Sequence, residues 1–437
     1  RRMALGGGSF ITQNKVLPGA YINFVSVASA SATLSDRGVV TMPLELDWGV
    51  EGQIFEVTVG DFQKNSMKFF GYPYTHDKMK GLRDLFKYAK TLYAYKLNTG
   101  GTKAACNFAT AKYPGIRGNA LKIVIQANVD DPSMFDCYTY MDTSAVDMQT
   151  VSAAADLKDN DYVTFKKDAN LLVTASTPLT GGTTGTVSGS AYQDYQDKIE
   201  SYRFNTMGVV TTEKTVKGLM ASFVKRMRDD VGVKFQLVLY DYQSADYMGV
   251  ISVKNEALDG ASKADLVYWV TGAQAGCAVN KSLQNKQYDG EYTVGVDYNQ
   301  SDLTKAIQSG EFTFHNVNGD VRVLDDINTK VTVSDTEGAI FCDNQTIRVI
   351  DQIGNDIAVL FATKYLGTVP NDEAGRISLW SDIVKHHQQL LTIRAIEGFE
   401  DGDVVVSQGD SKKAVAVQDA VTVVNAMGKL YMTTVVS

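Results

Sequence analysis

The chain has 437 residues, of which 44% are hydrophobic and 21% are charged, and its formal net charge is −8 at pH 7. Because a single hydrophobic core stops growing at about 250 to 300 residues, this length and composition predict two or three domains with packed cores. The acidic balance argues against a nucleic acid as the main partner, since binding a phosphate backbone needs clustered Lys and Arg.

The sequence carries no signal for a membrane or for export. No run approaches the roughly 20 consecutive apolar residues that span a bilayer, and the start "RRMALGGGSF" lacks the apolar core of a secretory signal. We therefore expect a soluble protein made in the cytosol, without membrane insertion, in which Arg1 and Arg2 before Met3 are an upstream remnant. The cysteines are scattered without a C-x-x-C pair, which predicts free thiols and no zinc site at Cys106, Cys137, Cys277 and Cys342.

The first predicted elements are a strand over residues 17–28 and a helix that begins near residue 78. The apolar face of that helix holds Leu82, Leu85, Phe86, Ala89 and Leu92. A strand is predicted next, over residues 93–97. Residues 98–189 then read as a β-rich insertion, with strands at 121–127 and 135–141 and a closing loop, "TPLTGGTTGTVSG", that is too poor in apolar residues to pack a core.

After the insertion, helices and strands alternate again. A helix carries Tyr192 and Tyr195, and a strand follows over residues 207–212. A longer helix over residues 215–230 has a continuous apolar stripe, and a buried strand over residues 234–241 comes next. The stripe consists of Val216, Leu219, Met220, Phe223, Val224 and Met227. This alternation predicts a layered α/β core built from residues 31–97 and 190–340.

The last hundred residues predict a separate α+β domain over residues 341–428. Asp343 or Asn344 can cap a helix that ends near Gly367, and a second helix forms a hairpin with it. The second helix is predicted to turn Trp380, Ile383, Val384, His387, Leu390 and Leu391 inward, and Asp382, Lys385, His386 and Gln389 outward. Strands over residues 403–407 and 413–417, joined by the turn "QGDSK", complete the domain.

Two features resemble catalytic motifs without satisfying them. The stretch "VTGAQAGCAVNKSLQNKQYDG" has glycines before Lys281 and Ser282, but a phosphate loop needs a glycine directly before the lysine, where Asn280 stands. The acidic pairs Asp229-Asp230 and Asp325-Asp326 lie at a helix end or in turns, where solvated carboxylates are expected. With no G-x-S-x-G elbow either, nothing in the sequence indicates an enzyme or a cofactor.

Four stretches in order along the chain carry a resemblance to a known family: "FKYAKTLYAYKLNTGGTKA", "AKYPGIRGNALKIVI", "VTGAQAGCAVNKSLQNKQYDG" and "VNAMGKLYMTTVVS". They resemble the tail sheath proteins of contractile phages and phage tail-like bacteriocins, in the version found among Gram-positive hosts. The resemblance runs along nearly the whole chain, and none of the four stretches is a catalytic signature. A phage and a bacteriocin use the same sheath, so the choice between them stays open.

The resemblance implies a structural subunit that polymerises helically around an inner tail tube and contracts once, from a kinetically trapped extended lattice, without nucleotide hydrolysis. It implies further partners in the baseplate and tail terminator proteins, an outward position for the insertion, and a place in the tail of a particle assembled in the host cytoplasm. It also implies that arms at residues 1–30 and 429–437 add strands to neighbouring subunits.

The residues expected in these intersubunit arms are Tyr21, Ile22, Phe24, Val25, Leu430, Tyr431, Met432, Val435 and Val436. The residues alone leave open whether each terminus pairs within its own subunit. The residues expected to face the tube are Asp382, Lys385, His386 and Gln389, for which an ordinary solvated helix face is the alternative. Two other classes of protein stay open as well, an α/β enzyme without a recognisable motif and a tail adhesin.

Overall fold

The computed structural model describes residues 33–436, and these residues divide into two compact units. Among the described residues, the larger unit comprises 33–40, 87–90 and 201–436, and the smaller unit comprises 41–86 and 91–200. The strand predicted over residues 17–28, together with the arm residues Tyr21, Ile22, Phe24 and Val25, lies outside the described part of the chain.

The α-helices are α1 Val59–Phe70, α2 Lys80–Leu85, α3 Ala191–Ile199, α4 Lys214–Arg226, α5 Leu266–Gly276, α6 Gln300–Gln308, α7 Asn344–Leu360 and α8 Glu373–Thr392. The strands are β1 Val39–Leu44, β2 Phe55–Thr58, β3 Thr91–Lys96, β4 Asn98–Thr99, β5 Ala109–Ala111, β6 Leu121–Ala127, β7 Phe135–Met141, β8 Ser144–Val151, β9 Val163–Phe165, β10 Thr174–Pro178, β11 Thr186–Val187, β12 Thr206–Gly208, β13 Gln236–Tyr240, β14 Val250–Val253, β15 Glu311–Phe312, β16 Phe314–Val317, β17 Asp320–Val323, β18 Ile396–Glu397, β19 Val404–Gln408, β20 Val415–Asp419 and β21 Thr422–Val423. No helix of the described residues is long and apolar enough to cross a membrane.

The core of the larger unit is a parallel ladder in the order β12-β13-β14-β15, against which α4 and α5 pack. Every residue of β13 and β14 is buried, as expected for parallel strands that helices cover. The α/β alternation predicted for this part of the chain is therefore confirmed. The helix predicted over residues 215–230 is α4 together with a π-helical turn, Met227–Val231.

One prediction for α4 is wrong. Leu219 was placed in the buried stripe, but it is exposed, whereas Lys217 is buried and donates to the carbonyl oxygen of Asp241 at 3.2 Å. A lysine can take a core-facing position because its apolar stem packs while its ammonium group reaches a carbonyl at the edge. The rest of the predicted stripe faces inward, with Met220, Phe223 and Val224 buried, so hydrophobicity alone misjudged only the edge of the buried face.

The smaller unit contains an antiparallel sheet in the order β10-β6-β7-β8. The predicted strands at 121–127 and 135–141 coincide with β6 and β7, because alternating apolar side chains such as Leu121, Ile123 and Ile125 all turn into one core. Trp48 is fully buried in the same core. The β-rich character predicted for the insertion is observed in these strands.

The helix predicted from residue 78 is shorter than expected. It ends at Leu85, and Leu92 belongs instead to β3, where it pairs with Val57 of the antiparallel partner β2. The spacing of apolar residues fitted a longer helix, but pairing with β2 places residues 91–96 in a strand instead. The five residues predicted for the apolar face are all buried, so their burial was predicted correctly. The predicted helical geometry was wrong for Phe86, Ala89 and Leu92, which follow the end of the helix.

The C-terminal part of the larger unit contains the predicted helical hairpin. Helix α7 continues into a π-helical turn, Phe361–Tyr365, before α8 begins, and the predicted pair of strands is the antiparallel hairpin β19-β20. Buried apolar residues from these elements form one cluster, which includes Val349, Leu360, Leu379, Ile383 and Leu390. Residues near both ends of the described chain, Leu34 and Val423, pack against this cluster.

Candidate functional site

Helix α7 begins at a half-buried acidic cap, Asp343. Asp343 accepts hydrogen bonds from the backbone N–H groups of Gln345 at 2.7 Å and Thr346 at 3.2 Å, so Asp343 and not Asn344 is the N-cap. Burial, and after it the nearby carboxylate of Asp326, raises the pKa of Asp343 to about 6. The start of α7 is thus fixed by a carboxyl group whose ionised form is disfavoured in the folded protein.

The cap positions a set of polar side chains that hold the chain just before its C-terminal segment. Gln345 donates from Nε2 to the carbonyl oxygen of Val424 at 3.1 Å, and its Oε1 accepts from the backbone N–H of Ala426 at 2.9 Å. Asn425 donates from Nδ2 to Thr346 Oγ1 at 3.0 Å. We call Gln345 and Thr346, with the residues 424–426 that they hold, the C-terminal clamp.

Beyond the clamp, the chain enters none of the strands that the structure describes between residues 33 and 436. Residues 427–436 are exposed and extended past β21 without further secondary structure. The predicted arm residues within this segment are between 78% and 88% exposed, and they are Leu430, Tyr431, Met432, Val435 and Val436. Large apolar side chains in such number on one short segment form an exposed apolar patch of the kind that is found at interaction sites.

At the other end, the first described residues are held by α7 and α8. The backbone N–H of Leu34 donates to Gln389 Oε1 at 3.3 Å, and Ser35 donates from Oγ to Asp356 Oδ1 at 2.5 Å. His386 Nε2 lies 3.0 Å from Asp356 Oδ2. Burial raises the pKa of Asp356, but hydrogen bonds from His386, Ser35 and Gln352 outweigh burial and hold that pKa below its usual range.

These contacts correct the predicted outward face of α8. Asp382 and His386 are buried, so their outward placement is wrong, whereas Lys385 is exposed and Gln389 is half-buried. Asp382 accepts from the Tyr365 hydroxyl at 2.5 Å and forms an ion pair with Lys364. Helical periodicity placed Asp382 and His386 in solvent because it carries no information about their partners. These partners are Tyr365 and Lys364 in the π-helical turn, and Asp356 in α7.

His387 faces inward, as predicted. Its Nδ1 lies 2.9 Å from the carbonyl oxygen of Ile383, and its Nε2 lies 2.9 Å from Asp419 Oδ2 on β20. The contact joins α8 to the hairpin β19-β20.

Two buried ion pairs fix the middle of α7. Arg348 contacts Asp326 Oδ2 at 2.6 Å, and both side chains are about 1% exposed. Arg228 contacts Asp351 through two hydrogen bonds of 2.6 and 2.7 Å. Burial raises the pKa of Asp326, but the Arg348 guanidinium outweighs burial and holds it below its usual range. The prediction that Asp326 is a solvated turn residue is therefore wrong.

The stretch that raised the question of phosphate binding also has a structural role here. Gly272 and Gly276 lie inside or at the end of α5, whereas a phosphate loop precedes its helix. Lys281 has an exposed side chain, and its carbonyl oxygen accepts from Arg348 at 2.8 Å. Among residues 33–436, no group of three or more His, Cys, Asp or Glu side chains is placed to hold a metal ion, and the four cysteines are free thiols.

Comparisons with known families agree on one class of protein. Family models match residues 37–97 as the "tail sheath protein Gp18 domain III N-terminal region" and residues 99–184 as the "phage tail sheath protein beta-sandwich domain". Models of the phage tail sheath protein central domain and C-terminal domain match residues 185–329 and 336–437. The chain is accordingly a structural protein and not an enzyme.

Whole-chain relatives give the family. The chain is 32% identical to the phage-like element PBSX protein XkdK of Bacillus subtilis, over 98% of this chain and 99% of that protein. The sheath tail protein of Desulfitobacterium hafniense has 37% identity and a TM-score of 0.80, covering 95% of this chain and 99% of that one. The chain belongs to the phage tail sheath protein family, and it is a tail sheath subunit.

A more distant likeness extends the fold. The helical sheath of the anti-feeding prophage, solved in its contracted state, has a TM-score of 0.57 and 12% identity, with 96% of this chain and 99% of that chain covered. At this identity the match establishes a shared fold. The mixed α/β architecture described above is thus found in the sheath of a contractile particle.

The sequence identified the terminal segment and missed the side chains that hold it. Gln345 and Thr346 were not singled out, although an acidic cap before a helix is a recognisable signal for Asp343. Gln345 bonds a chain segment about eighty positions away in sequence. No local pattern encodes such a contact.

Proposed function

We propose that this tail sheath subunit polymerises as a helical lattice around the inner tail tube and contracts irreversibly to drive the tube through a target cell envelope. The observation that carries the proposal is the segment 427–436, which is exposed, rich in large apolar residues and outside every strand of the described part of the chain. A segment of this kind can gain a partner in an assembly.

The partner of this segment is a neighbouring copy, which it joins as an added strand. Strand addition forms main-chain hydrogen bonds, while alternate side chains enter pockets on either face of the sheet. Burying a large apolar side chain contributes about 1.5 to 3 kcal/mol, and Leu430, Tyr431 and Met432 all have such surface to bury. The predicted N-terminal arm residues form the second joint of the same network.

Contraction is a one-way change between two lattices. The extended lattice lies above the contracted one in free energy and persists because a kinetic barrier separates them. Packed interfaces switch between discrete arrangements, so a trigger at the baseplate spreads from layer to layer and needs no nucleotide. The contracted sheath of the anti-feeding prophage, which shares the fold, supports this proposal.

The hold on the tube is weak and repeated. Of the residues predicted to face the tube, Lys385 retains this assignment, because its side chain is exposed on α8. An exposed ion pair contributes about 0 to 1 kcal/mol, so many such pairs hold an extended sheath and release together. Baseplate and tail terminator proteins cap the lattice, and the insertion at 98–189 lies on its exterior, in the tail of a phage or bacteriocin particle assembled in the host cytoplasm.

Electron microscopy of the purified subunit tests the proposal, alone and with its tube protein. We expect striated cylinders of uniform width that form around tubes when both proteins are present. Discrete particles in both preparations, at high protein concentration and after prolonged incubation, would contradict polymerisation. As a control, the tube protein alone should form tubes, which shows that the preparation is able to assemble.

A further inference from the structure

The C-terminal clamp has the geometry of a strand partner built from one side chain. In a parallel ladder, one residue donates its N–H to a carbonyl of the neighbouring strand and accepts from the N–H two residues further along that strand. The side-chain amide of Gln345 makes this pair of contacts with Val424 and Ala426. It therefore extends the pairing of the chain past β21.

The side chains of the clamp that belong to α7 are buried, whereas the chain becomes exposed immediately after residues 424–426. Gln345 and Thr346 are each about 2% exposed, whereas Met427 is fully exposed. Val424 is further held by a hydrogen bond from its N–H to the carbonyl oxygen of Ala395, at 3.0 Å. The transition from a held chain to an exposed chain thus occurs within one or two residues.

Gly428 lies directly after this transition. A Cβ atom at this position would lie 3.0 Å from Gln284 Oε1, so the glycine passes close to the body where other residues would displace that side chain. Glycine also has the widest range of backbone conformations. Met427 and Gly428 are therefore suited to bend while residues 424–426 stay in place.

We propose that Gln345 is a positioning residue that fixes the pivot of the C-terminal arm, with Met427 and Gly428 as the hinge. This inference rests on the proposed function, because it assigns the arm a fixed base from which to reach a neighbour. When the base is held, the free segment begins at Met427. When it is released, residues 424–426 join the free segment, and the effective concentration of the arm at its acceptor falls.

Three variants of the full-length chain weaken the C-terminal clamp in different ways. Gln345→Met keeps the size of the side chain and removes both hydrogen bonds. Gln345→Glu keeps an acceptor for Ala426 but, when ionised, turns a carboxylate toward the carbonyl of Val424. Asn425→Ala loosens the clamp from the arm side without changing α7, which guards against a Gln345 variant that does not fold. Gln308→Met, at an exposed position on α6, is the matched control.

Hydrogen exchange of the isolated subunit tests the clamp directly. We expect the Ala426 amide to exchange at least about tenfold faster in Gln345→Met than in the parent, as follows when a buried hydrogen bond is lost, with no change in the Gln308→Met control. Unchanged exchange at Ala426 would overturn the assignment of Gln345 as a clamp. This measurement needs no assembly, so it stands even if the proposed function fails.

Polymerisation with the tube protein tests the role of the clamp. We expect Gln345→Met to raise the protein concentration needed for cylinders by about three- to tenfold. The defect of Gln345→Glu should be relieved at pH 5 relative to pH 8, since a protonated carboxyl both donates and accepts, whereas Gln345→Met should show no such relief. Equal polymerisation of all variants and control would overturn the pivot, while failure of the parent chain would overturn the proposed function and, with it, the role in assembly.

Discussion

Helix α7 and the segment 427–436 depart in opposite ways from the usual distribution of polar and apolar residues. In α7, charged side chains such as Arg348 and Asp351 are buried and paired. In the terminal segment, large apolar side chains such as Leu430 and Tyr431 are exposed. The buried charges find their partners inside the subunit and give α7 one fixed position. The exposed apolar residues lie outside the strands of residues 33–436, and the proposed function gives them a partner in a neighbouring subunit.

Removing one member of a buried pair should produce the largest effect. Arg348→Met leaves Asp326 buried without its cation, and we expect a loss of about 3 to 5 kcal/mol in the free energy of unfolding. Urea unfolding at pH 7 measures this loss. The double variant Arg348→Met/Asp326→Asn should recover much of it, because no uncompensated charge remains. A loss below about 1 kcal/mol in the single variant would show that the pair does not fix α7.

The acidic cap of α7 should give a pH-dependent effect. The pKa of Asp343 is raised to about 6 in the folded protein, above the ordinary value of 3.8. The folded state thus binds the extra proton between these values, and stability decreases as the pH rises through this window. The cost at pH 7 is up to about 3 kcal/mol.

Asp343→Asn tests this effect, because asparagine caps a helix about as well as aspartate and carries no charge. We expect the variant to be more stable than the parent at pH 7 by about 1 to 3 kcal/mol, and the two to converge near pH 4. Thermal unfolding across this range measures both. A variant that is less stable than the parent at pH 7 would contradict the assigned cost of ionisation.

Asp382 should behave as part of the fold, despite its predicted place on the outward face. Asp382→Ala removes the acceptor of the Tyr365 hydroxyl and of Lys364, and we expect a loss of about 1 to 3 kcal/mol in unfolding free energy. Chemical denaturation of the isolated subunit provides the measurement. Parent-like stability combined with defective assembly would instead return Asp382 to the tube-facing set.

Lys385 should behave in the opposite way, although it lies three residues further along the same helix. Lys385→Glu should leave the unfolding free energy within about 0.5 kcal/mol of the parent, since the side chain is exposed. Assembly on tubes should weaken. Lys305→Glu, on the exposed side of α6, is the matched control. Equal assembly of the two variants would remove Lys385 from the tube contact.

The contrast between Asp382 and Lys385 shows which features of the fold could be predicted from the sequence and which could not. Periodicity identified α8 and its apolar residues, and alternation identified β6 and β7, because burial of apolar surface determines both patterns. Neither pattern could distinguish a polar side chain in solvent from one that is paired with another element of the fold. For the same reason, the terminal segment was recognisable from its composition, while Gln345, whose partners are distant in sequence, was not.

Deleting residues 429–437 tests the central claim most directly. Electron microscopy with tube protein, together with urea unfolding of the isolated subunit, compares the deletion with the parent chain. We predict a parent-like unfolding free energy and no cylinders, because the segment contacts a neighbour and not its own subunit. Cylinders of normal length and order from the shortened chain would contradict the account.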